Sequence, residues 1–259
     1  MFRVERLFDL TGKVAIVTGG ASGLGQAIAE GYAQCGASVG VLDVAQDGAR
    51  EVASEIERQG GQAIAVACNV RNPDEVRSAV GDVGARFGEI DILMNNAGIG
   101  LRSKAEEMTD AMWDRVLDIN LKGAFFFCRE VGRVLIRQGR GGRIINMSSV
   151  AGIVGLETGN ANYSASKGGL IAMTRCLAIE WAKHQILVNA IAPSHTKTPL
   201  IESLMKEKPE TERYFLGNIP LGRLGEPAEI VGPAVFLASE AASFVTGQVL
   251  VVDGGHTAK

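Results

Sequence analysis

Residues 13–25 read KVAIVTGGASGLG, and this stretch decides the fold of the chain. Residues 13–18 are an apolar, β-branched run that predicts a buried strand. The glycine cluster that follows predicts a tight turn into a helix that begins near Gly23. A strand, a glycine-rich turn and a helix in this order indicate the first unit of an α/β fold.

The glycines of this turn also indicate a ligand. Gly19, Gly23 and Gly25 have the spacing Gly-x-x-x-Gly-x-Gly. One glycine permits the turn, another lets the backbone approach a pyrophosphate, and the third allows close helix packing, while the helix N-terminus attracts the phosphates. A glycine turn without a ligand is the alternative. The predicted cofactor contacts in this turn are Gly19, Ser22, Gly23, Leu24 and Gly25.

Asp43 indicates which dinucleotide binds. It ends a predicted strand at 38–43, where a carboxylate accepts hydrogen bonds from a ribose 2′-hydroxyl. Its charge would repel the 2′-phosphate of NADP, and Ser22 before Gly23 offers no basic group to compensate. The sequence therefore predicts NAD as the cofactor. The alternative is an ordinary residue at a strand end.

Strands and helices alternate along the rest of the chain. The predicted strands are 13–18, 38–43, 62–67, 91–94, 143–147, 186–191 and 248–252. Helices are predicted from 23, over 48–58, from 72, over 109–138, around Tyr163 and over 227–238. This order predicts a single domain, 1–259, built as a doubly wound, Rossmann-like parallel sheet with helices on both faces. The segment 194–220 reads as irregular with a short helix, and we expect it to be a substrate lid.

Composition excludes several classes of protein. The net charge is −3 over 259 residues, which argues against a nucleic-acid partner, and arginines at helical spacing over 129–143 read as a solvated face. Nothing reads as a signal peptide or a membrane span. The four cysteines show neither metal nor disulfide spacing. We expect a cytoplasmic protein with no metal and no membrane partner.

Tyr163 and Lys167 point to acid–base chemistry. They are four residues apart in NANYSASKGGL, so they share one face of a helix. A nearby ammonium group favours the phenolate and lowers the tyrosine pKa, which otherwise is about 10. On its own this pattern equally describes a surface tyrosine beside a surface lysine.

Five motifs together resemble the short-chain dehydrogenase/reductase family. They are TGGASGLG, NNAG at 95–98, DINLKG around Asn120, INMSSVAG around Ser149, and YSASK. The resemblance runs from Thr11 to Gly255 and implies a catalytic set of Asn120, Ser149, Tyr163 and Lys167.

By this resemblance, Tyr163 exchanges a proton with the substrate oxygen while hydride passes to or from a nicotinamide. Lys167 lowers the tyrosine pKa and holds the nicotinamide ribose. Ser149 stabilises the substrate oxygen, with Ser148 as the competing serine. Asn120 helps to position a water in a proton relay to Lys167, although an asparagine of this kind often bonds only backbone.

The same resemblance assigns further cofactor contacts. Tyr163 and Lys167 are counted among them. The others are Asn69 and Val70 at the adenine, Asn96, Ala97 and Gly98 near the ribose and phosphates, and Pro193, Thr196 and Thr198 near the carboxamide and phosphates. The chain departs from the family pattern at Ser194, which replaces a glycine, and in the loop 151–162, which is one residue longer than is common.

Substrate identity is the least determined part of the sequence. Two stretches resemble dehydrogenases of sugar acids and polyols, such as gluconate, deoxygluconate and galactitol dehydrogenases. They are EWAKHQILVNAIAP at 180–193 and FVTGQVLVVDGG at 244–255. Candidate substrate contacts are Glu157, Thr158, Asn160, His195 and Lys197. One alternative is a 3-oxoacyl-carrier-protein reductase, with Arg140 and Lys183 docking an acidic carrier, and another is a non-catalytic dinucleotide sensor. The family resemblance implies a homotetramer.

Overall fold

The computed structural model describes residues 3–156, 159–207 and 210–258. Within them, seven strands form one sheet in the order β3-β2-β1-β4-β5-β6-β7, and every neighbouring pair is parallel. The strands are β1 Val14–Thr18, β2 Ser38–Asp43, β3 Gln62–Ala67, β4 Ile92–Asn95, β5 Gly142–Met147, β6 Ile186–Pro193 and β7 Val249–Val252. The predicted doubly wound parallel fold is confirmed.

Nine α-helices connect and extend these strands in the described part of the chain. They are α1 Gly23–Gln34, α2 Gln46–Arg58, α3 Pro73–Phe87, α4 Asp110–Leu117, α5 Ala124–Gln138, α6 Ala161–Trp181, α7 Pro199–Glu207, α8 Glu210–Asn218 and α9 Ala228–Ala238. Residues of α1, α2 and α9 share one apolar cluster with the sheet, while α3, α5 and α6 share the other. Helices therefore cover both faces.

The interior strand β1 shows why its sequence is apolar without alternation. Ala15 and Val17 belong to the first cluster, and Val14 and Ile16 belong to the second. Each of these side chains is at most 5% exposed. A parallel strand that is buried on both faces requires an unbroken apolar run, which is the pattern seen at 13–18.

The strand order places the binding crevice. Chain order reverses between β1 and β4, since β1 continues to β2 and β3 on one side while β4, β5 and β6 extend the other. In open parallel sheets, ligands bind outside the carboxyl ends of the strands at this switch point. The glycine turn after β1 and the NNAG segment after β4 both lie there.

The predicted helix 109–138 is interrupted in the structure. A π-helical segment, Asp118–Gly123, separates α4 from α5. Hydrophobic periodicity follows the regular α-helical repeat, so it does not reveal one wider turn within a longer helix.

Two further features complete the description. The segment 194–220, predicted to hold one short helix, contains α7 and α8. None of the helices in the described ranges combines the length and the apolar character needed to cross a membrane.

Candidate active site

The glycine turn has the shape of an anion cradle. Gly19 and Gly23 have φ angles of +65° and +57°, in the left-handed region that favours glycine. A Cβ atom on Gly25 would lie 2.0 Å from the carbonyl oxygen of Gly19, so no larger residue fits there. Ser22 and Leu24 lie in the same turn, where α1 begins. The backbone and the helix N-terminus fit a pyrophosphate here.

The NNAG segment holds this turn in place. Asn96 donates from Nδ2 to the carbonyl oxygens of Thr18 at 3.1 Å and Gly19 at 3.0 Å. The Thr18 hydroxyl accepts hydrogen bonds from the backbone N–H groups of Asn96 and Ala97. Asn96 and Ala97 therefore lie directly against the predicted phosphate site. Gly98 lies farther along, where a Cβ atom would be 3.4 Å from Lys167 Nζ.

Asp43 lies beside the glycine turn, as its position at the end of β2 requires. Its Oδ2 accepts from the backbone N–H of Ala21 at 3.1 Å, and its Oδ1 accepts from Ala45 at 2.9 Å. These bonds fix the carboxylate at the edge of the crevice. No lysine or arginine occurs from residue 43 to residue 49.

The two predicted adenine contacts differ in their surroundings. Val70 is 9% exposed and packs against Gly123, whose Cβ position would be 2.8 Å from a Val70 methyl group. Asn69 is exposed, and its Oδ1 accepts from the backbone N–H of Arg71 at 3.1 Å. Both lie just beyond the carboxyl end of β3.

The two threonines after β6 are not equivalent. Pro193 ends β6 opposite Val252. Thr196 is 5% exposed, and its hydroxyl donates to the carbonyl oxygen of Ser194 at 3.1 Å. Thr198 lies across from the glycine turn, with its Cβ 3.6 Å from the Cβ position of Gly23. The structure thus brings Thr198 to the cofactor crevice and uses the Thr196 hydroxyl within its own loop.

Tyr163 and Lys167 lie one turn apart in α6, facing the same cleft. Lys167 Nζ is 5.5 Å from the centroid of the Tyr163 ring and donates to the carbonyl oxygen of Met147 at 2.6 Å. Lys167 is 3% exposed, and this burial lowers the pKa of its ammonium group to about 8.

The geometry separates the two serines that follow β5. Ser148 is 2% exposed, and its hydroxyl donates to the backbone carbonyl of Lys167 at 2.9 Å. The side chain of Ser149 instead forms a hydrogen bond with the Tyr163 phenol. Ser148 therefore supports the helix, while Ser149 faces the tyrosine.

Burial dominates the protonation of Tyr163. Removal from water raises the pKa of its phenol, whereas the hydrogen bond from Ser149 and the positive charge of Arg102 lower it. The sequence predicted Lys167 as the group that lowers this pKa. Lys167 directs its ammonium group to Met147 instead, so Ser149 and Arg102 have that effect in the structure.

Asn120 lies in the π-helical segment and is fully buried. Its Oδ1 accepts from the backbone N–H of Ile99 at 2.8 Å, and its Nδ2 donates to the Ile99 carbonyl at 2.9 Å and to Ser166 Oγ at 3.1 Å. Ser166 in turn donates to the backbone carbonyl of Tyr163 at 2.7 Å. The Asn120 side chain thus joins the loop after β4 to helix α6.

Arg102 is a candidate site residue that the sequence pattern did not indicate. Its loop is held on both sides, because Asn162 Nδ2 donates to the Leu101 carbonyl and Ser103 N–H donates to the Gly159 carbonyl, each at 3.1 Å. Across the described ranges, Arg102 has no ion pair, yet its charge reaches Tyr163 and lowers the tyrosine pKa. One feature of the sequence could have indicated Arg102: it follows shortly after strand β4, which ends at the crevice.

The predicted substrate contacts differ in their surroundings. The His195 ring stacks on Phe215 at 3.7 Å, and burial lowers the pKa of its imidazole to about 4. Lys197 forms an ion pair with Glu226. Asn160 immediately precedes α6, whereas Glu157 and Thr158 lie outside the described residues. No group of three acidic, His or Cys side chains suited to a metal ion occurs in the described part of the chain.

The two basic residues suggested for carrier docking lie elsewhere. Arg140 precedes β5 and Lys183 precedes β6, so both are at the amino ends of parallel strands. Arg140 also forms ion pairs with Glu89 at 2.6 Å and Asp91 at 3.7 Å. Ser149 follows the carboxyl end of β5, at the opposite edge of the sheet.

Comparison with known proteins agrees with this architecture. Residues 19–257 match a family profile described as enoyl-(acyl carrier protein) reductase. The chain is 39% identical over 255 residues to the NAD-dependent glycerol dehydrogenase of Listeria innocua, with 98% of both chains covered. It is 42% identical over 246 residues to a 3-oxoacyl-(acyl-carrier-protein) reductase of Thermotoga maritima, with 95% of this chain and 98% of that protein covered.

A solved structure extends this similarity to three dimensions. The gluconate 5-dehydrogenase of Burkholderia cenocepacia, in complex with NADP and tartrate, has a TM-score of 0.94 and 33% sequence identity to this chain. The match covers 99% of this chain and all of that one.

Proposed function

The chain belongs to the short-chain dehydrogenase/reductase family, and from that premise we propose that it is an NAD-dependent dehydrogenase of a sugar acid. As a family member it is an oxidoreductase that acts on CH–OH groups with a pyridine nucleotide. NAD as the preferred nucleotide, the sugar-acid substrate and the roles of individual residues are our proposal. The observation that carries the substrate class is the position of Arg102.

The crevice fits a dinucleotide by its backbone. The glycine turn at the start of α1 would hold the pyrophosphate, Asp43 the adenosine ribose, and Lys167 the nicotinamide ribose. When bound, the nicotinamide accepts or supplies the hydride. Similarity alone does not choose between nucleotides, because one relative is NAD-dependent by name and another is solved with NADP. The Asp43 charge, with no nearby basic residue in 43–49, favours NAD.

The proton chemistry follows from the Tyr163 environment. During oxidation the phenolate oxygen of Tyr163 would take the proton of the substrate hydroxyl, and during reduction the phenol would return it. Ser149, which bonds the phenol, would also stabilise the substrate oxygen as its charge changes. Lys167 lies on the same face of α6, where it would hold the nicotinamide ribose, while Ser149 and Arg102 support the phenolate. Asn120 would act by fixing the loop after β4 against α6.

Arg102 supports a carboxylate on the substrate. Its backbone is held between the Leu101–Asn162 and Ser103–Gly159 hydrogen bonds, and its charge acts on Tyr163. A guanidinium group whose charge acts on the Tyr163 phenol, with no acidic partner among the described residues, is suited to bind a carboxylate. A sugar acid presents a carboxylate and secondary hydroxyl groups together. A neutral polyol, favoured by similarity to a glycerol dehydrogenase, would leave this charge unused.

The carrier-protein alternative has less support from the geometry. Similarity to the Thermotoga reductase keeps it as a hypothesis. However, Arg140 and Lys183 lie at the amino ends of the strands, whereas Ser149 follows the carboxyl end of β5. They would therefore not guide an acidic carrier to Tyr163. The convergence of Ser149, Tyr163 and Lys167 also argues against a protein that only senses the dinucleotide.

We also propose a homotetramer. Apolar side chains are exposed on α5 and α6 and near β7, including Phe125 at 42%, Ile179 at 81% and Phe244 at 102%. We take these side chains as the candidate subunit contacts, and the tetramer itself as what membership of the family suggests. Light scattering coupled to size-exclusion chromatography checks this, and a monomer at micromolar concentration would contradict it.

A substrate panel tests the proposed function. Purified enzyme is offered D-gluconate, glycerol, D-threitol and a 3-hydroxyacyl thioester, each with NAD and with NADP, and reduced nicotinamide is followed by absorbance. We expect the highest kcat/KM with the sugar acid and NAD. A preference for the thioester would favour the carrier-protein reductase, and a preference for the neutral polyols would contradict the role of Arg102.

A further inference from the structure

The segment proposed as a lid carries a buried aromatic ring. Phe215 lies on α8 and is 0% exposed. It forms an apolar cluster with Ile219 and Leu224, with partly buried residues of α7 and α8 packed around it. This cluster explains why α8 is held together, but it does not account for all of the contacts of the Phe215 ring.

The Phe215 ring also contacts two side chains outside the two lid helices. The imidazole of His195 stacks on it, with ring centroids 3.7 Å apart and an angle of 22° between the planes. The guanidinium carbon of Arg102 lies 5.9 Å from the ring centroid. Stacking and cation–π contacts of this kind are directional, so they orient both polar groups. Phe215 therefore links the loop after β6 to the loop after β4.

Arg102 connects His195 electrostatically to the proposed reacting tyrosine. The charge of Arg102 lowers the pKa of Tyr163 and that of His195, which places the arginine within electrostatic reach of both. His195 Nε2 is buried and has no hydrogen-bond partner among the residues that the structure describes. A buried imidazole nitrogen without a partner is costly, and a substrate hydroxyl group would satisfy it.

The Arg102 side chain has few other contacts, which makes the contact with Phe215 important. The Arg102 backbone is held by its neighbours, but the side chain is exposed and long, and no ion pair within the described ranges fixes it. The ring of Phe215 is the contact that restricts the guanidinium group. If α8 moves away from the body, Arg102 and His195 lose this contact together.

We infer that Phe215 is a positioning residue that couples closure of the lid to recognition of the substrate carboxylate. With α8 seated, the ring orients Arg102 and His195 toward the substrate beside Tyr163. The inference rests on the proposed sugar-acid substrate and on the lid, and it assigns Phe215 no contact with the reacting atoms.

A kinetic comparison tests the coupling. Phe215→Leu should raise KM for D-gluconate about tenfold, with a smaller change in kcat, because the lost ring contacts amount to about 1.4 kcal/mol. Phe215→Tyr, which keeps an aromatic ring, should have a KM for D-gluconate close to that of the wild type. Tyr214→Leu is the matched control, since its ring lies on the same helix, 6.0 Å from Phe215. In an Arg102→Leu background, Phe215→Leu should raise KM by clearly less than tenfold, because only the His195 contact is left to lose, and an undiminished tenfold rise there would overturn the coupling.

Hydrogen–deuterium exchange supplies a readout that needs no turnover. With NAD present, backbone amides of 210–218 should exchange about tenfold faster in Phe215→Leu than in the wild type or in Tyr214→Leu. Equal exchange in all three proteins would overturn the seating role of the ring. Failure of the wild type to oxidise D-gluconate would instead sink the proposed substrate, and the exchange result would still decide whether Phe215 seats the lid.

Discussion

Lys167 donates a hydrogen bond from Nζ to the backbone carbonyl of Met147 at 2.6 Å. Met147 ends β5, so this bond joins helix α6 to the strand that leads into Ser149. The bond holds the ammonium group 5.5 Å from the centroid of the Tyr163 ring. The phenol of Tyr163 interacts with Ser149 instead. The residues that we propose for proton transfer are therefore brought together by strand β5 and helix α6.

The first prediction concerns the phenol. Tyr163→Phe should lower kcat by about 10²–10⁴-fold, because the group that exchanges the substrate proton is removed. NAD affinity, measured by calorimetry, should stay within about twofold because the hydrogen-bonding glycine turn is untouched. Tyr32→Phe is a control, because it also removes a phenol hydroxyl but Tyr32 is not one of the proposed site residues. That hydroxyl donates to the Ala234 carbonyl. Near wild-type turnover in Tyr163→Phe would show that another group moves the proton.

A second prediction concerns nucleotide choice. Asp43→Asn keeps the acceptor for Ala21 N–H but removes the charge that would repel a 2′-phosphate. The preference for NAD over NADP in kcat/KM should fall by at least about tenfold. Asp47→Asn, an exposed carboxylate on α2 paired with Arg50, should leave the preference unchanged. Equal preferences in the wild type and Asp43→Asn would contradict the ribose role.

A third prediction concerns the substrate carboxylate. Arg102→Leu should raise KM for D-gluconate by about 10- to 100-fold, the range expected when a charged hydrogen-bond donor is lost. Arg102→Lys should recover part of the loss, because it keeps the charge without the bidentate geometry. Lys104→Leu, in the same loop, should behave as the wild type. If glycerol kinetics change as much as D-gluconate kinetics, Arg102 is not a carboxylate ligand.

A fourth prediction concerns pH. Arg102 lowers the pKa of Tyr163, and the phenolate is the form that accepts a proton during oxidation. In Arg102→Leu the tyrosine pKa should rise, so the increase of kcat/KM with pH should move to higher pH. Profiles measured on a neutral alcohol separate this effect from carboxylate binding. A displacement to lower pH would show that another group controls the profile.

A fifth prediction concerns stability in acid. Burial lowers the pKa of His195 from 6.5 to about 4. Between these two pH values the imidazole is protonated in the unfolded chain and neutral in the folded chain. The stabilisation by the neutral ring is complete above pH 6.5 and is lost as pH falls through 4, up to about 3 kcal/mol in all. His195→Phe should show a smaller pH slope of unfolding free energy there, measured with urea. An equal slope would assign the effect to other groups.

Several elements were predictable because their determinants are local. The continuous apolar run at 13–18 indicated a strand buried on both faces, and Val14 to Thr18 form the central strand β1. Asn72 and Pro73 indicated a helix start, and Asn72 caps α3 by accepting from Asp74 and Glu75 backbone N–H groups. Elements defined by wider contacts, such as the π-helical segment at Asn120, were not visible in the periodicity.

By itself, the sequence determined the order of strands and helices, the glycine turn and the residues placed at the carboxyl ends of the strands, because these follow from periodicity, backbone sterics and spacing. Only the tertiary structure decided that Ser149 rather than Ser148 faces Tyr163, that the charge of Arg102 acts on Tyr163, and that the Phe215 ring contacts Arg102. Those contacts join residues far apart in the chain, and close packing of loops and helices determines them, not local pattern.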